Sequence, residues 1–339
     1  MQHVFLERSE GKYNMRTSSE MLKELLGIQH AIFCGPMGGV SCPELVASVS
    51  EAGGLGFLPI WSSSPENAAE QVVATRALTD QPFAVNLRAD INTTEHVEAA
   101  VEAGTTLVHT FWGSPEPYSA AILESDATLI ATVDSAGAAQ IALDAGARVL
   151  IAQGTEAGGH VLSETPLRIL LDEVLKLAGD TPIVAAGGIT TSEDVKVMAE
   201  AGAAGVLCGT RFVASEESLA HPDYKAALLA AGADATVRTK IFDIGWPDAP
   251  LRTLLNSTYR NWDEAGQPAP GTRPGEGDII MRLGEGVEIP RYSMMPPMRG
   301  MSGDIEAAVM YAGMGVERVR DVETAADIVL DLASGYSGA

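Results

Sequence analysis

The chain has 339 residues, 46% of them hydrophobic, with 35 glycines and few aromatics, which suits one large α/β barrel of short buried strands plus an appended segment. Its formal net charge of −23 argues against nonspecific binding to nucleic acid or to an anionic membrane, since either needs a cationic surface to displace counterions. Cys34, Cys42 and Cys208 lie in no CxxC spacing and leave an odd count, so they point to neither a disulfide framework nor a cysteine metal site. Residues 1–20 lack the apolar stretch of a secretory signal, and no run reaches the roughly 18 apolar residues of a membrane helix. The expected setting is the reducing cytoplasm, with no metal.

Residues 1–27 read as an N-terminal extension, and 28–232 as the barrel. Four segments place an acidic residue, an alanine and a glycine before a hydrophobic run: Glu51-Ala52-Gly53, Glu102-Ala103-Gly104, Asp144-Ala145-Gly146 and Glu200-Ala201-Gly202. Glycine just past a helix can take the left-handed conformation, so each reads as a helix end feeding a buried strand. Short apolar runs give eight strands, near 31–37, 56–60, 82–87, 107–112, 128–133, 149–154, 182–187 and 205–209. Amphipathic stretches at 43–52, 65–78, 94–103, 135–145, 167–177 and 192–201 supply helices between them, with a weaker one at 119–124. Eight strand–helix units favour a closed (β/α)8 barrel over an open sheet, because closure removes both edges and gathers every strand's carboxyl end on one rim. Residues 215–231 then have a helical pattern. The stretch 233–300, rich in Pro, Gly and Trp, reads as a lid or small second domain over the barrel mouth. Helical patterns at 304–313 and 323–332 would pack back on the barrel, completing a segment 301–339.

The residues with chemistry to offer fall after the strands. The seventh strand ends in Ala185-Ala186-Gly187-Gly188-Ile189 and the eighth in Cys208-Gly209-Thr210-Arg211-Phe212, each followed by a helical pattern. Glycine turns in these two loops point to a phosphorylated ligand, since they bring backbone N–H groups close to it. Arg211 is as well explained by an acidic partner as by phosphate, and is left without a role. After the sixth strand, Gln153-Gly154-Thr155-Glu156-Ala157-Gly158-Gly159-His160 presents a histidine on a rim loop, where imidazole can act as general acid or base. Small residues around Met37 would admit a flat ring, and Asn86 can donate to and accept from a heterocycle edge.

Taken together, Pro36-Met37-Gly38-Gly39-Val40-Ser41, Ala52-Gly53-Gly54-Leu55-Gly56, Val85-Asn86-Leu87, Gln153 through His160, Ala185 through Ile189 and Gly209 through Phe212 resemble the nitronate monooxygenase family. They are similar as well to the flavin-dependent enoyl-acyl-carrier-protein reductase II group. The likeness is strong over roughly residues 28–220 and weaker beyond, through Tyr311-Ala312-Gly313. It implies a barrel with FMN held noncovalently across the strand ends. Pro36, Met37 and Gly38 would lie along the flavin, Asn86 and Gln153 would meet its polar edge or ribityl chain, and Gly158 and Gly159 would pass close by. Gly187, Gly188, Gly209 and Thr210 would bind the phosphate, and His160 matches the family's active-site histidine.

The reaction so implied is oxidation of a nitronate or related small anion by FMN and dioxygen to a carbonyl compound and nitrite. His160 would deprotonate neutral nitroalkanes. The partners are the small substrate and dioxygen, with a homodimer an admissible assembly. The competing readings are an NAD(P)H-dependent enoyl-thioester reductase and a noncatalytic flavin-binding protein. One departure stands out: some family members carry a lysine at the end of the fifth strand, where this chain has Thr132.

Overall fold

The computed structural model describes residues 5–9, 12–284 and 286–336. A hairpin of β1 (Phe5–Ser9) and β2 (Lys12–Arg16) leads into helix α1 (Ser18–Leu26). Thr17 and Glu20 cap α1 reciprocally: the Thr17 hydroxyl accepts the Glu20 N–H at 3.2 Å, and the Glu20 carboxylate accepts the Thr17 N–H at 2.8 Å. Leu22 and Leu26 of α1 are buried with Phe33, Leu55, Phe57, Leu107 and Val149. This helix therefore closes the barrel at the amino ends of its strands.

The barrel strands are β3 (Ile32–Cys34), β4 (Leu55–Pro59), β5 (Phe83–Arg88), β6 (Leu107–Phe111), β7 (Thr128–Val133) and β8 (Val149–Gln153). After the two-residue β9 (Gly159–His160), which lies outside the barrel, come β10 (Ile183–Ala186) and β11 (Gly205–Cys208). All eight barrel strands are parallel and close on themselves, with β11 pairing β3, so the eight-stranded barrel read from the sequence is the observed fold. Between them run α2 (Pro43–Glu51), α3 (Pro65–Arg76), α4 (Thr94–Glu102), α5 (Glu116–Glu124), α6 (Ala136–Asp144), α7 (Leu167–Leu177) and α8 (Ser192–Glu200). The glycines of the four acidic-Ala-Gly segments, Gly53, Gly104, Gly146 and Gly202, have φ of 83°, 104°, 88° and 99°, the left-handed geometry that ends each helix. Between the strands and the helices, Leu129 of β7 is buried in one apolar layer with Leu45, Val72 and Leu171 of α2, α3 and α7.

Beyond β11 come the one-turn α9 (Thr210–Val213) and α10 (Pro222–Ala230). The expected helix over 215–231 is thus shorter than its pattern. Ser215 and Ser218 donate their hydroxyls to the Phe212 and Val213 carbonyls, and helix begins only once Pro222 supplies an N1 residue. Strands β12 (Thr236–Thr239) and β13 (Leu251–Leu254) extend β9 into an antiparallel sheet at the barrel rim. Helix α11 (Ser257–Glu264) and a second small sheet follow, built from β14 (Ile279–Leu283), β15 (Val287–Pro290) and β16 (Met301–Gly303).

The expected helix at 304–313 is not formed. A 3-10 turn at Ile305–Ala307 gives way to extended chain, whose carbonyls accept from Thr258 (onto Ala307), Asn256 (onto Ala308) and Thr253 (onto Met310). Those partners satisfy the backbone as well as a helix would. Helix α12 (Ala325–Ala333) forms over most of the second pattern, starting two residues later and ending one residue beyond it, and packs against α2. No helix among the described residues is long and apolar enough to cross a membrane.

Candidate functional site

One cavity opens at the carboxyl ends of the strands, and Pro36, Met37, Gly38, Asn86, Gln153, Gly158, Gly159, His160, Gly187, Gly188, Gly209 and Thr210 all line it. Residues from five barrel strands or their loops are thereby brought to one place. Among the described residues, no group of three or more His, Cys, Asp or Glu side chains could hold a metal.

On one side lie the two glycine turns. Gly188 has φ of 69°, which a side-chain-bearing residue adopts at a cost, and a Cβ added at Gly209 would meet nothing within 4 Å. The N–H groups of Gly188 and Gly209 donate to no protein acceptor among the described residues. A pair of unused backbone donors in two glycine turns that both line the cavity fits an anionic oxygen group. Thr210 adds a hydroxyl whose oxygen accepts the Gly313 N–H at 3.0 Å, leaving its proton to donate. Gly313 and Gly315, far along the chain, complete this wall. The approach is close: a Cβ on Gly158 would stand 2.5 Å from the Gly313 nitrogen.

Deeper in the barrel, three adjacent strands contribute a buried polar chain. The Asn86 amide nitrogen lies 3.0 Å from His109 Nδ1, and His109 Nε2 lies 2.8 Å from Thr132 Oγ1. Burial lowers the His109 pKa to about 3, so this imidazole is neutral at physiological pH. Gln153 donates its amide to the His160 carbonyl at 3.4 Å, tying the sixth strand tip to the loop that carries the histidine.

At the mouth, the His160 ring stacks on Trp246 with centroids 4.0 Å apart and planes at 29°, and Trp112 meets it edge-on at 5.8 Å. The Arg88 guanidinium lies 3.2 Å from the same Trp246 ring centre and pairs with Asp90 through Nε (3.0 Å) and Nη2 (2.6 Å). His160 Nε2 is buried and has no hydrogen-bond partner among the described residues. Burial, with a smaller push from Arg88, lowers its pKa to about 3. A neutral imidazole with a free nitrogen and a neighbouring cation can take a proton and hold the resulting anion nearby.

Arg211 lies elsewhere in its chemistry. Its guanidinium pairs with Glu323 ahead of α12, the acidic-partner alternative. The sequence reading missed Arg88, His109, Trp61, Trp112 and Trp246 and gave Tyr311 only as part of the weaker resemblance, with no place in the site; all but Trp112 line the cavity itself. A signal existed for two of them. Arg88 follows Asn86 by two residues on β5, and His109 follows inward-facing Leu107 by two on β6, so strand alternation puts each on the barrel's inner face. Nothing local announces Trp246, which reaches His160 across 86 residues of chain.

The sequence pattern of the nitronate monooxygenase family matches residues 19–104 and 91–335. The chain is 34% identical over 237 residues to the (3aS,4S,5R,7aS)-5-hydroxy-7a-methyl-1-oxo-octahydro-1H-indene-4-carboxyl-CoA dehydrogenase of Mycobacterium tuberculosis, a match spanning 69% of this chain and 66% of that one. It is 31% identical over 268 residues to the nitronate monooxygenase of Pseudomonas aeruginosa, covering 65% of this chain and 76% of the other. The solved structure of FabK from Thermotoga maritima superposes with a TM-score of 0.80 at 27% identity, covering 94% of this chain and 96% of FabK.

Proposed function

The chain belongs to the nitronate monooxygenase family and is an oxidoreductase of that kind, and from this premise we propose that it holds FMN across the strand ends and oxidises a nitronate or related small anion with dioxygen, yielding a carbonyl compound and nitrite. FMN would accept electrons from the substrate and pass them to dioxygen. Gly187, Gly188, Gly209 and Thr210 would hold its phosphate, the Gly188 and Gly209 N–H groups having no acceptor among the described residues. Pro36, Met37, Gly38, Gly158 and Gly159 would leave space for a flat ring, with Asn86 and Gln153 at its polar edge.

The observation that carries this reading is the buried His160 Nε2, without a partner among the described residues, on a ring that stacks on Trp246, the indole over which the Arg88 guanidinium also lies. Carbon acids such as nitroalkanes lose a proton to a positioned base and leave an anion behind. His160 would take that proton at Nε2, and Arg88 would supply the counter-charge. The low proton affinity of the buried imidazole keeps the base unprotonated, and negative charge developing on the substrate beside it raises that affinity. The Trp61, Trp112, Trp246 and Tyr311 rings would exclude water from the exchange.

A second reading is hydride exchange between a nicotinamide nucleotide and a thioester-bearing substrate, favoured by the likeness to the Mycobacterium tuberculosis CoA dehydrogenase. Anaerobic mixing separates the two, because each names a different electron donor. The leading reading expects a nitronate to bleach the flavin absorbance and NADH or NADPH to leave it. Bleaching by the nucleotides alone would transfer the assignment to the second reading. A colourless protein that cannot be reconstituted with FMN would overturn both.

A further inference from the structure

The chain of Asn86, His109 and Thr132 has a direction that its geometry fixes. The Leu87 carbonyl can only accept, so the Asn86 amide atom 3.2 Å from it is the nitrogen, and that same nitrogen stands 3.0 Å from His109 Nδ1. Nδ1 must therefore accept. His109 is 1% exposed and neutral, so its one proton sits on Nε2 and is donated to Thr132 Oγ1 at 2.8 Å. The Thr132 oxygen is thus taken as an acceptor, while its own proton meets no acceptor among the described residues. Asn86 Oδ1 likewise receives no donor among them. Both side chains line the cavity, which accordingly meets one directed hydroxyl donor and one amide acceptor. That pair complements an N–H beside a carbonyl, the edge of a pyrimidine-dione ring.

We propose that Thr132 donates its hydroxyl to the pyrimidine-dione edge of the flavin, that His109 is the positioning residue that fixes this hydroxyl as a donor, and that reduced flavin is stabilised here by an oriented dipole at a position where a lysine would supply charge. The inference rests on the FMN reading above. Among the described residues Arg88 is the cation that lines the cavity, and it lies at the mouth over Trp246, so the inner edge is left to neutral groups.

The test compares binding of oxidised and reduced FMN. Oxidised FMN is titrated into the apoprotein by fluorescence quenching, and the midpoint potential of the bound flavin is measured by equilibration with a reference dye. Thr132→Val keeps the side-chain shape and removes the hydroxyl. It should bind oxidised FMN somewhat more weakly than wild type and reduced FMN more weakly still, the preference for reduced over oxidised flavin falling about tenfold, the scale of one hydrogen bond to a charged group. That ratio equals a midpoint lowered by about 30 mV for a two-electron couple. Thr132→Ser should restore the wild-type potential, Thr132→Lys should raise it, and His109→Phe should lower it by freeing the hydroxyl to turn. A wild-type potential in Thr132→Val overturns the proposal, and so does a fall of equal size in Thr132→Ser, which would trace the effect to packing. Failure of the wild-type protein to take up FMN would overturn the FMN reading itself and this inference with it.

Discussion

Trp246→Ala is the perturbation that separates the environment of His160 from its identity. The indole is 7% exposed and covers the imidazole face at a centroid distance of 4.0 Å, and burial is the larger cause of the histidine's fall from 6.5 to about 3. Removing the indole admits water to the ring, so the His160 midpoint should climb back toward 6.5. The histidine Cε1 proton, followed by NMR from pH 8 to pH 5, should be flat in wild type and should titrate in the variant. Stability should follow by linkage. A histidine held neutral in the native state contributes its stability above the unfolded value of 6.5 and loses it as pH falls toward 3, at about 1.4 kcal/mol per pH unit. The variant should lose less of its stability on acidification than wild type. His109, which contacts Phe57 and not Trp246, should stay flat in both and serves as the internal control. Truncating a buried tryptophan costs about 3–5 kcal/mol, so Trp246→Phe is the companion that keeps a covering ring and should keep the depressed midpoint. A His160 midpoint still near 3 in folded Trp246→Ala would refute the burial explanation.

Two further outcomes are expected. Gly209→Asp has room for its side chain and an ordinary backbone angle, so the barrel should fold, while the carboxylate at the proposed phosphate cradle should weaken FMN binding about tenfold or more; normal flavin occupancy at limiting FMN would show the cradle misplaced. Arg88→Met should retain FMN and raise KM for an anionic substrate about 10-fold to 100-fold, the range of a charge-assisted hydrogen bond, whereas an unchanged KM would remove Arg88 from substrate binding.

The barrel was legible because its signals are local and repeated. Each acidic-Ala-Gly segment carries its own helix end, and each buried parallel strand is a short apolar run whatever its neighbours do. The glycine turns were legible for the same reason, since backbone donors require only small residues at a strand's end. The helix patterns at 215–221 and 304–313 misled because helical spacing is silent about competing partners, here the Ser215 and Ser218 hydroxyls and the Asn256, Thr258 and Thr253 side chains. The walls of the mouth were illegible in a stronger sense. Trp246 meets His160 and Arg88 only because β13 pairs with β9, a long-range contact that no periodicity announces. Thr132 was noticed as a departure, but its role depends on His109, one strand away, and strand pairing alone brings the two together.

The most direct measurement compares His160→Asn with wild type on the neutral and anionic forms of one nitroalkane, at a pH where the two forms interconvert slowly, with FMN content checked in both proteins. A positioned base contributes about 10²–10⁴-fold to proton transfer, so kcat/KM for the neutral form should fall by that order while kcat/KM for the preformed nitronate stays near wild type. Equal losses on the two forms would contradict the base role of His160, and no loss on either would remove it from the active site.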